Sequence, residues 1–317
     1  MSSEIELTGL RADLPIGAMA AFGCLRVCQR MEGFRGSRLA WKAGVSAEHA
    51  ALYVPDGRSV EDLVAGLLSD VKGAGERPEL TWSEQIKTLS PDQYRARAKE
   101  RLLSADATGR ETADWFAAFG SELAPGRDGK IEKTPFDMSV ARQKFLADAR
   151  KLAAGLAEDR SGRKIKTSAE AYREALFGPW MYEDDQHSLG WDPSTMKLGA
   201  FSYKEPTAMA NSGVRAAVWL AFESLPLFPC FYADRLEVRA FQYKDGEFAL
   251  CWPTWRRPIS LAALVSLLGW RELTADVPDP AQLRGRGVTS LYRSARFKPN
   301  KYLASFRAPE LVFGAAG

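Results

Sequence analysis

The chain has 317 residues, 46% of them hydrophobic and 26% charged, with 43 Lys and Arg against 40 Asp and Glu. This composition is typical of a globular protein with a buried core, whose stability requires neither disulfides nor a metal. No apolar run is long enough to span a bilayer, and the acidic N-terminus lacks a signal-peptide pattern, so we expect a cytoplasmic protein with no membrane partner.

The first predicted elements are a short strand or turn at Leu7–Gly9 and an apolar helix over 15–30. Pro15 suits the first helical position, while Gly17 and Gly23 permit close backbone contact, so this helix is expected inside the core. Short strands are predicted at 37–43 and 49–54, and an amphipathic helix at 59–71.

The next region, 82–123, is charged and predicted to be rich in helix, including a helix that starts at Pro91. Gly, Pro and charged residues predict a loop over 124–135. A long helix is predicted to begin at Asp137 or Ser139 and to end near Leu156.

After Thr167 the sequence changes, because Trp, Pro and short β-like runs become frequent, with helices predicted at 212–225 and 260–270. The predicted fold class is α+β, with a helix-rich N-terminal half and a mixed α/β, Trp- and Pro-rich C-terminal half. We place a boundary near residue 160. This predicts a helix-rich region with short N-terminal strands at 1–160 and a mixed region with a basic C-terminal segment at 161–317.

Few residues suggest catalysis or metal binding. The cysteines are interpreted as small buried hydrophobic residues, and with two histidines in the chain neither a zinc site nor another cofactor is expected. Phosphate-loop, zinc-protease and nucleophile-elbow motifs are absent, so the sequence does not argue for an enzyme. The four cysteines are Cys24, Cys28, Cys230 and Cys251.

One acidic stretch leaves an alternative open. It would serve a metal-dependent nuclease if its carboxylates bound Mg²⁺ and its histidine activated water. Adjacent Asp184 and Asp185 cannot share a face of a strand, however, and acidic clusters beside Gly and Pro are more often solvated turns. The residues concerned are Glu183, Asp184, Asp185, His187 and Asp192.

The strongest signal is the segment from Arg284 to Arg307, which has seven Lys or Arg, four aromatic residues and no Asp or Glu. Without its seven bases the chain has 36 Lys and Arg against 40 Asp and Glu, so the positive charge is concentrated here. Such cations neutralise phosphates, and aromatic rings stack on bases. The predicted nucleic-acid-binding residues are Arg284, Arg286, Arg293, Arg296, Lys298, Lys301, Tyr292, Phe297, Tyr302, Arg256 and Arg257.

Within this segment, strand alternation would place Tyr292, Ser294, Arg296 and Lys298 on one face and Leu291, Arg293, Ala295 and Phe297 on the other. Arg256 and Arg257, beside Trp252 and Trp255, would extend the patch. The alternative interpretation is a basic edge strand or tail that pairs with the acidic body or blocks aggregation.

Three further stretches resemble CRISPR-associated proteins of subtype I-G (formerly I-U), in the group described as an extension of the helicase-nuclease. "LTGLRADLPIGAMAAFGCLRVCQR" is similar to their opening, in which a turn, an acidic residue and a proline precede an apolar helix. "FDMSVARQKFLADARKLA" and "LGWDPSTMKLGAFSYKEPT…SGVRAAVWLAFESLPLFP" resemble their internal helix and their Trp-Asp-Pro stretch. The sequence departs from the family at Ile16, Ala18 and Met19 and over 214–219.

This resemblance implies a non-catalytic subunit or accessory of a type I CRISPR antiviral effector complex (Cascade), contacting guide RNA or target DNA. Its expected partners are nucleic acid, the other effector subunits and the helicase-nuclease. An alternative is a protein adaptor that docks the helicase-nuclease onto the effector through exposed Trp- and Pro-rich loops near 180–206.

Overall fold

The computed structural model describes residues 2–77, 80–81, 85–103, 109–126, 128–139, 144–158, 166–185, 188–195, 213–300 and 303–314. Within these ranges the backbone forms nine α-helices and twelve β-strands, which belong to small antiparallel sheets. The predicted α+β class is therefore confirmed. None of the helices described here has the length and hydropathy needed to cross a membrane.

The chain begins with a three-stranded antiparallel sheet of order β1-β3-β2, in which a predicted short strand at Leu7–Gly9 is part of a ten-residue strand. The predicted first helix, the next two strands and the amphipathic helix are all present. Their bounds are β1 (Ser2–Arg11), α1 (Pro15–Cys28), β2 (Arg38–Lys42), β3 (His49–Pro55) and α2 (Val60–Lys72).

Helix α1 is buried over all but one of its 14 residues, as its apolar sequence predicts. It has Pro15 in the first turn, where no intrahelical partner is needed for the missing N–H. A Cβ built at Gly23 would lie 1.7 Å from the carbonyl oxygen of Leu220, so glycine allows the two backbones to meet. The prediction of a core helix with close backbone contact is confirmed.

The middle of the chain contains α3 (Pro91–Leu103), α4 (Gly109–Phe119), β4 (Gly120–Pro125), β5 (Ile131–Lys133), α5 (Phe145–Ala157) and α6 (Ser168–Phe177). The loop predicted over 124–135 was wrong in part, because β4 and β5 pair as a hairpin. The start of the long helix was also wrong. Asp137 accepts a hydrogen bond from the Ser139 N–H, and Lys144 has an extended backbone, so helix begins at Phe145.

The remaining elements surround a five-stranded sheet with β11-β10-β9-β8 in order and β12 also paired with β10. Strands β6 and β7 form a separate hairpin. The bounds are α7 (Arg215–Glu223), β6 (Cys230–Tyr232), β7 (Leu236–Val238), β8 (Phe241–Lys244), β9 (Glu247–Trp255), α8 (Leu261–Leu268), α9 (Pro280–Gly285), β10 (Val288–Asn300), β11 (Leu303–Phe306) and β12 (Glu310–Gly314).

A single large hydrophobic core contains side chains from both sides of residue 160. Two tryptophans of β9 reach the N-terminal elements: Trp252 Nε1 donates to the Ala12 carbonyl at 2.8 Å, and Trp255 Nε1 donates to the Leu39 carbonyl at 2.7 Å. The division into 1–160 and 161–317 stays a prediction.

Candidate nucleic-acid interface

The basic segment is built around β10, which is an interior strand of its sheet. It pairs with β9 along one edge and with β12 and then β11 along the other. The interpretation of this segment as an edge strand is wrong for 290–293, where β9 and β12 occupy both hydrogen-bonding edges. Over 288–300 the segment is paired strand rather than a free tail.

The predicted alternation along β10 is observed, but both of its faces pack against the protein. On one face, Leu291 is fully buried in a small core that includes Cys251 and Leu283. Arg293 lies on that face and donates to the Ala275 carbonyl at 2.8 Å. Its guanidinium is thus held by a backbone carbonyl of the same chain.

Arg296, on the opposite face, is also held internally. Its Nη2 donates to the Asp137 carbonyl at 3.2 Å, and its Nε is buried without a hydrogen-bond partner. Burial lowers the pKa of Arg296, while Asp137 and Glu132 act in the opposite direction. Burial, together with Arg296 and Lys87, lowers the pKa of the neighbouring Lys133 to about 8, although Asp137 opposes the shift.

The exposed cations lie at the ends of β10 instead. Arg284 and Arg286 precede the strand, and Arg257 follows β9. Since Val288 pairs with Trp255, the residues before Val288 and after Trp255 lie at the same end of the β9–β10 pair. We call this surface the basic end, and it consists of Arg256, Arg257, Arg284 and Arg286.

The four arginines of the basic end differ in the contacts that their guanidinium groups make. Arg256 is about half exposed, pairs with Glu48 at 3.1 Å and donates to the Trp41 carbonyl at 3.4 Å. Arg286 lies over the Trp270 ring at 4.5 Å and Arg284 over the Phe313 ring at 5.7 Å. In the part of the chain that the structure describes, Arg257, Arg284 and Arg286 form no ion pair.

At the other end of β10, Lys298 is exposed and forms no ion pair with a described carboxylate. Phe297 is partly buried, and the Arg307 guanidinium covers its ring at 4.7 Å. Arg307 also approaches Glu247 at 3.9 Å. The predicted site residues Lys301 and Tyr302 lie outside the described residues.

Tyr292 occupies a groove near the basic end. Its ring stacks on Trp252 with centroids 5.7 Å apart and planes 16° apart. The groove has a volume of about 460 Å³. Burial raises the pKa of Tyr292, and the carboxylates of Glu48 and Asp13 add to this, so the phenol stays neutral. The groove is lined by the loop 43–47 and by Glu48, Arg256, Thr289, Ser290 and Tyr292.

Two carboxylates of the acidic stretch considered for a nuclease, Asp184 and Asp192, form hydrogen bonds within the protein. Asp184 accepts a hydrogen bond from the Arg215 N–H at 2.7 Å, and Asp192 accepts one from the Ser194 N–H at 2.9 Å. Asp184 is buried and Asp185 is exposed, as alternation predicts. His187 lies outside the described residues. Among those described, no group of three or more His, Cys, Asp or Glu could hold a metal.

The loops expected to expose tryptophans for a protein partner do not do so where they are described. Trp191 is fully buried and donates from Nε1 to the Phe136 carbonyl at 2.9 Å. Trp180 is partly buried and donates to the Ala175 carbonyl at 3.0 Å. The expectation of exposed tryptophans is therefore wrong at Trp191, and at Trp180 the ring is only partly exposed. Residues 196–206 lie outside the described ranges.

A buried ion network that was not predicted from the sequence is centred on Glu223, whose side chain is fully buried. Its carboxylate contacts Arg26 at 3.1 Å, Arg30 at 2.9 Å and Arg77. Arg30 forms a bidentate pair with Asp70, and Arg26 also pairs with Glu111. Burial alone would raise the pKa of Glu223, but the three arginines lower it to about 2. The sequence does contain a signal for this buried charge, since Glu223 ends the apolar run "AAVWLAFE".

Comparison with protein-family models, with curated proteins and with solved structures found no match.

Proposed function

We propose that this protein is a non-catalytic subunit or accessory of a type I CRISPR antiviral effector complex, and that it contacts guide RNA or target DNA through backbone phosphates. Three stretches resemble subtype I-G proteins and occur in the same order along the chain, and this resemblance supports membership of the complex. The interface is the basic end, with Lys298 as a second contact.

The observation that carries the nucleic-acid contact is the state of the exposed arginines. Arg257, Arg284 and Arg286 form no ion pair in the described part of the chain, so binding a phosphate would break no existing pair there. Arg284 and Arg286 lie over aromatic rings, which orients their guanidinium groups at the surface. Arg293 and Arg296 instead donate to backbone carbonyls of the same chain.

The geometry also sets the length of nucleic acid that would be covered. From Val288 to Lys298, ten residues of strand extend roughly 33 Å at about 3.3 Å per residue. At about 3.4 Å per nucleotide step in a duplex, this corresponds to roughly ten steps. A nucleic acid that contacted both the basic end and Lys298 would therefore span roughly ten steps across the surface of the protein.

A charge-reversal experiment tests the proposal. The double variant Arg257→Glu, Arg286→Glu should weaken binding of labelled DNA or RNA by at least about tenfold at low salt. Each lost phosphate contact should reduce the slope of log K against log salt by about 0.7–0.9. Fluorescence anisotropy over a salt series measures both quantities.

The matched control is Arg110→Glu, Lys151→Glu, which makes the same change in charge at side chains that are 87% and 77% exposed on α4 and α5. This control should leave affinity nearly unchanged. Equal affinity of the wild type and the basic-end variant at low salt would contradict nucleic-acid binding at this surface.

Membership of the effector complex is tested separately. The protein should co-purify with type I effector subunits encoded beside its gene, and the absence of effector genes from that neighbourhood would count against the assignment. Retention in the complex after nuclease digestion would favour the adaptor alternative. That alternative gains support from exposed apolar side chains on neighbouring strands, Leu123 on β4 and Phe231 and Tyr232 on β6.

A further inference from the structure

The groove beside Tyr292 contains a rigid aromatic platform. Trp252 is fully buried and anchored by its hydrogen bond to the Ala12 carbonyl, and Tyr292 lies directly across the β9–β10 ladder from it. The nearly parallel stack fixes one face of the Tyr292 ring. The ring makes no other aromatic contact with the described residues, and it lines the groove.

The size of the groove restricts what can bind there. A volume of about 460 Å³ lies within the range of about 300–1,000 Å³ that is usual for small-ligand pockets. One wall is the loop 43–47, whose Val45 side chain is fully exposed. A space of this volume can hold one unpaired nucleotide but not a segment of duplex.

The charges around the groove favour a neutral group inside and an anion outside. Within the groove, Glu48 is negative, and its carboxylate is engaged by Arg256 at 3.1 Å and by the Thr254 hydroxyl at 2.8 Å. The hydroxyl-bearing Thr289 and Ser290 complete the polar lining. Arg256 lines the groove and also belongs to the basic end, where phosphates would be neutralised.

We infer that this groove binds one unpaired base of a single-stranded nucleic acid, with the base stacked on Tyr292 and its phosphate directed toward the basic end. This inference depends on the proposed function, since it selects single strands over duplexes as the substrate of that interface. Stacking on aromatic side chains tolerates every base, so no sequence preference is expected.

Three probes of equal length test the inference with the wild-type protein: a single strand of about 20 nucleotides, an abasic strand with the same phosphates, and a duplex. The base-carrying single strand should bind at least about tenfold more tightly than the abasic strand. The duplex should bind no better than the abasic strand. These comparisons need no substitution, so they are independent of any effect on folding.

Substitution then locates the effect. Tyr292→Leu should reduce affinity for the base-carrying strand to that for the abasic strand, and Tyr292→Phe should preserve the difference. Tyr243→Leu, at a partly buried tyrosine of β8 that packs against Phe248, is the matched control and should bind as the wild type does. Thermal unfolding identifies any Tyr292 variant that fails to fold.

The outcomes separate the two proposals. If the abasic strand or the duplex binds as tightly as the base-carrying strand, while the basic-end variant still weakens binding, the groove inference is wrong and the phosphate contact stands. If no probe binds at low salt, the proposed function itself fails.

Discussion

At the scale of single residues, Glu223 illustrates how a buried charge depends on its partners. Three arginines surround its fully buried carboxylate. Removing that negative charge leaves buried cations facing one another, and breaking such a pair destabilises proteins by about 3–5 kcal/mol. We therefore expect Glu223→Gln to lose about this much unfolding free energy, measured by urea denaturation at neutral pH.

The control for this prediction is Glu111→Gln, because Glu111 also pairs with Arg26 but its side chain is 40% exposed. Exposed pairs contribute about 0–1 kcal/mol, so this variant should unfold nearly as the wild type does. A loss at Glu223→Gln no larger than at Glu111→Gln would contradict the predicted role of burial.

The pH dependence follows from the direction of the pKa shift. In the folded protein the pKa of Glu223 is lowered from 4.5 to about 2, so the folded state favours the ionised carboxylate. Its stabilisation is complete above about pH 4.5 and is lost as the pH falls toward 2. The difference in unfolding free energy between wild type and Glu223→Gln should therefore shrink over this interval, which urea denaturation at several pH values measures. A difference in unfolding free energy that stayed constant with pH would contradict the lowered pKa of Glu223.

Two neighbouring cations of β10 should respond differently to charge reversal. Arg296→Glu places a carboxylate in a largely buried site close to Asp137 and Glu132, so we expect a marked decrease in melting temperature. Lys298→Glu changes an exposed side chain and should leave the melting temperature within a degree or two. Differential scanning fluorimetry compares them, and equal melting temperatures would show that Arg296 is not held internally.

At the scale of elements, the packing of α1 against α7 depends on close backbone approach at Gly23. Alanine is the better helix former by about 1 kcal/mol, but its Cβ would overlap the Leu220 carbonyl oxygen, and relieving such overpacking costs about 1–3 kcal/mol or more. Gly23→Ala should therefore destabilise the protein. Gly285→Ala, in α9 with open space around it, is the control and should be neutral in the same urea assay. A neutral Gly23→Ala would contradict the close approach.

Elements with strong local signals were predictable from the sequence. The apolar run with Pro15 at its start predicted α1, and the alternation in "SLYRSARFK" predicted the two faces of β10. Helix α5 was predicted to start too early, because its apolar spacing does not encode the side-chain contact of Asp137 with Ser139 that forms a turn. Local patterns identified the type of element better than its boundary.

At the scale of the whole molecule, the candidate site was predictable in composition and less so in geometry. The charge count identified the basic segment, and Arg284, Arg286 and Arg257 are exposed as a phosphate contact requires. The accessibility of the other predicted site residues depends on long-range contacts. Strands β12 and β11 cover one edge of β10. The carbonyls of Ala275 and Asp137 accept hydrogen bonds from Arg293 and Arg296, respectively. Neither contact can be read from neighbouring residues.

The hydrogen bond from Trp252 to Ala12, which joins residues 240 positions apart, has a consequence for synthesis on the ribosome. At about 5–20 residues per second, Trp252 is made roughly 12–48 s after Ala12. For most of that interval the almost wholly apolar α1 lacks both α7 and β9, which contact it in the folded protein. The nascent chain therefore exposes an apolar segment to solvent for many seconds. We expect the expression yield to depend on chaperones that bind this segment.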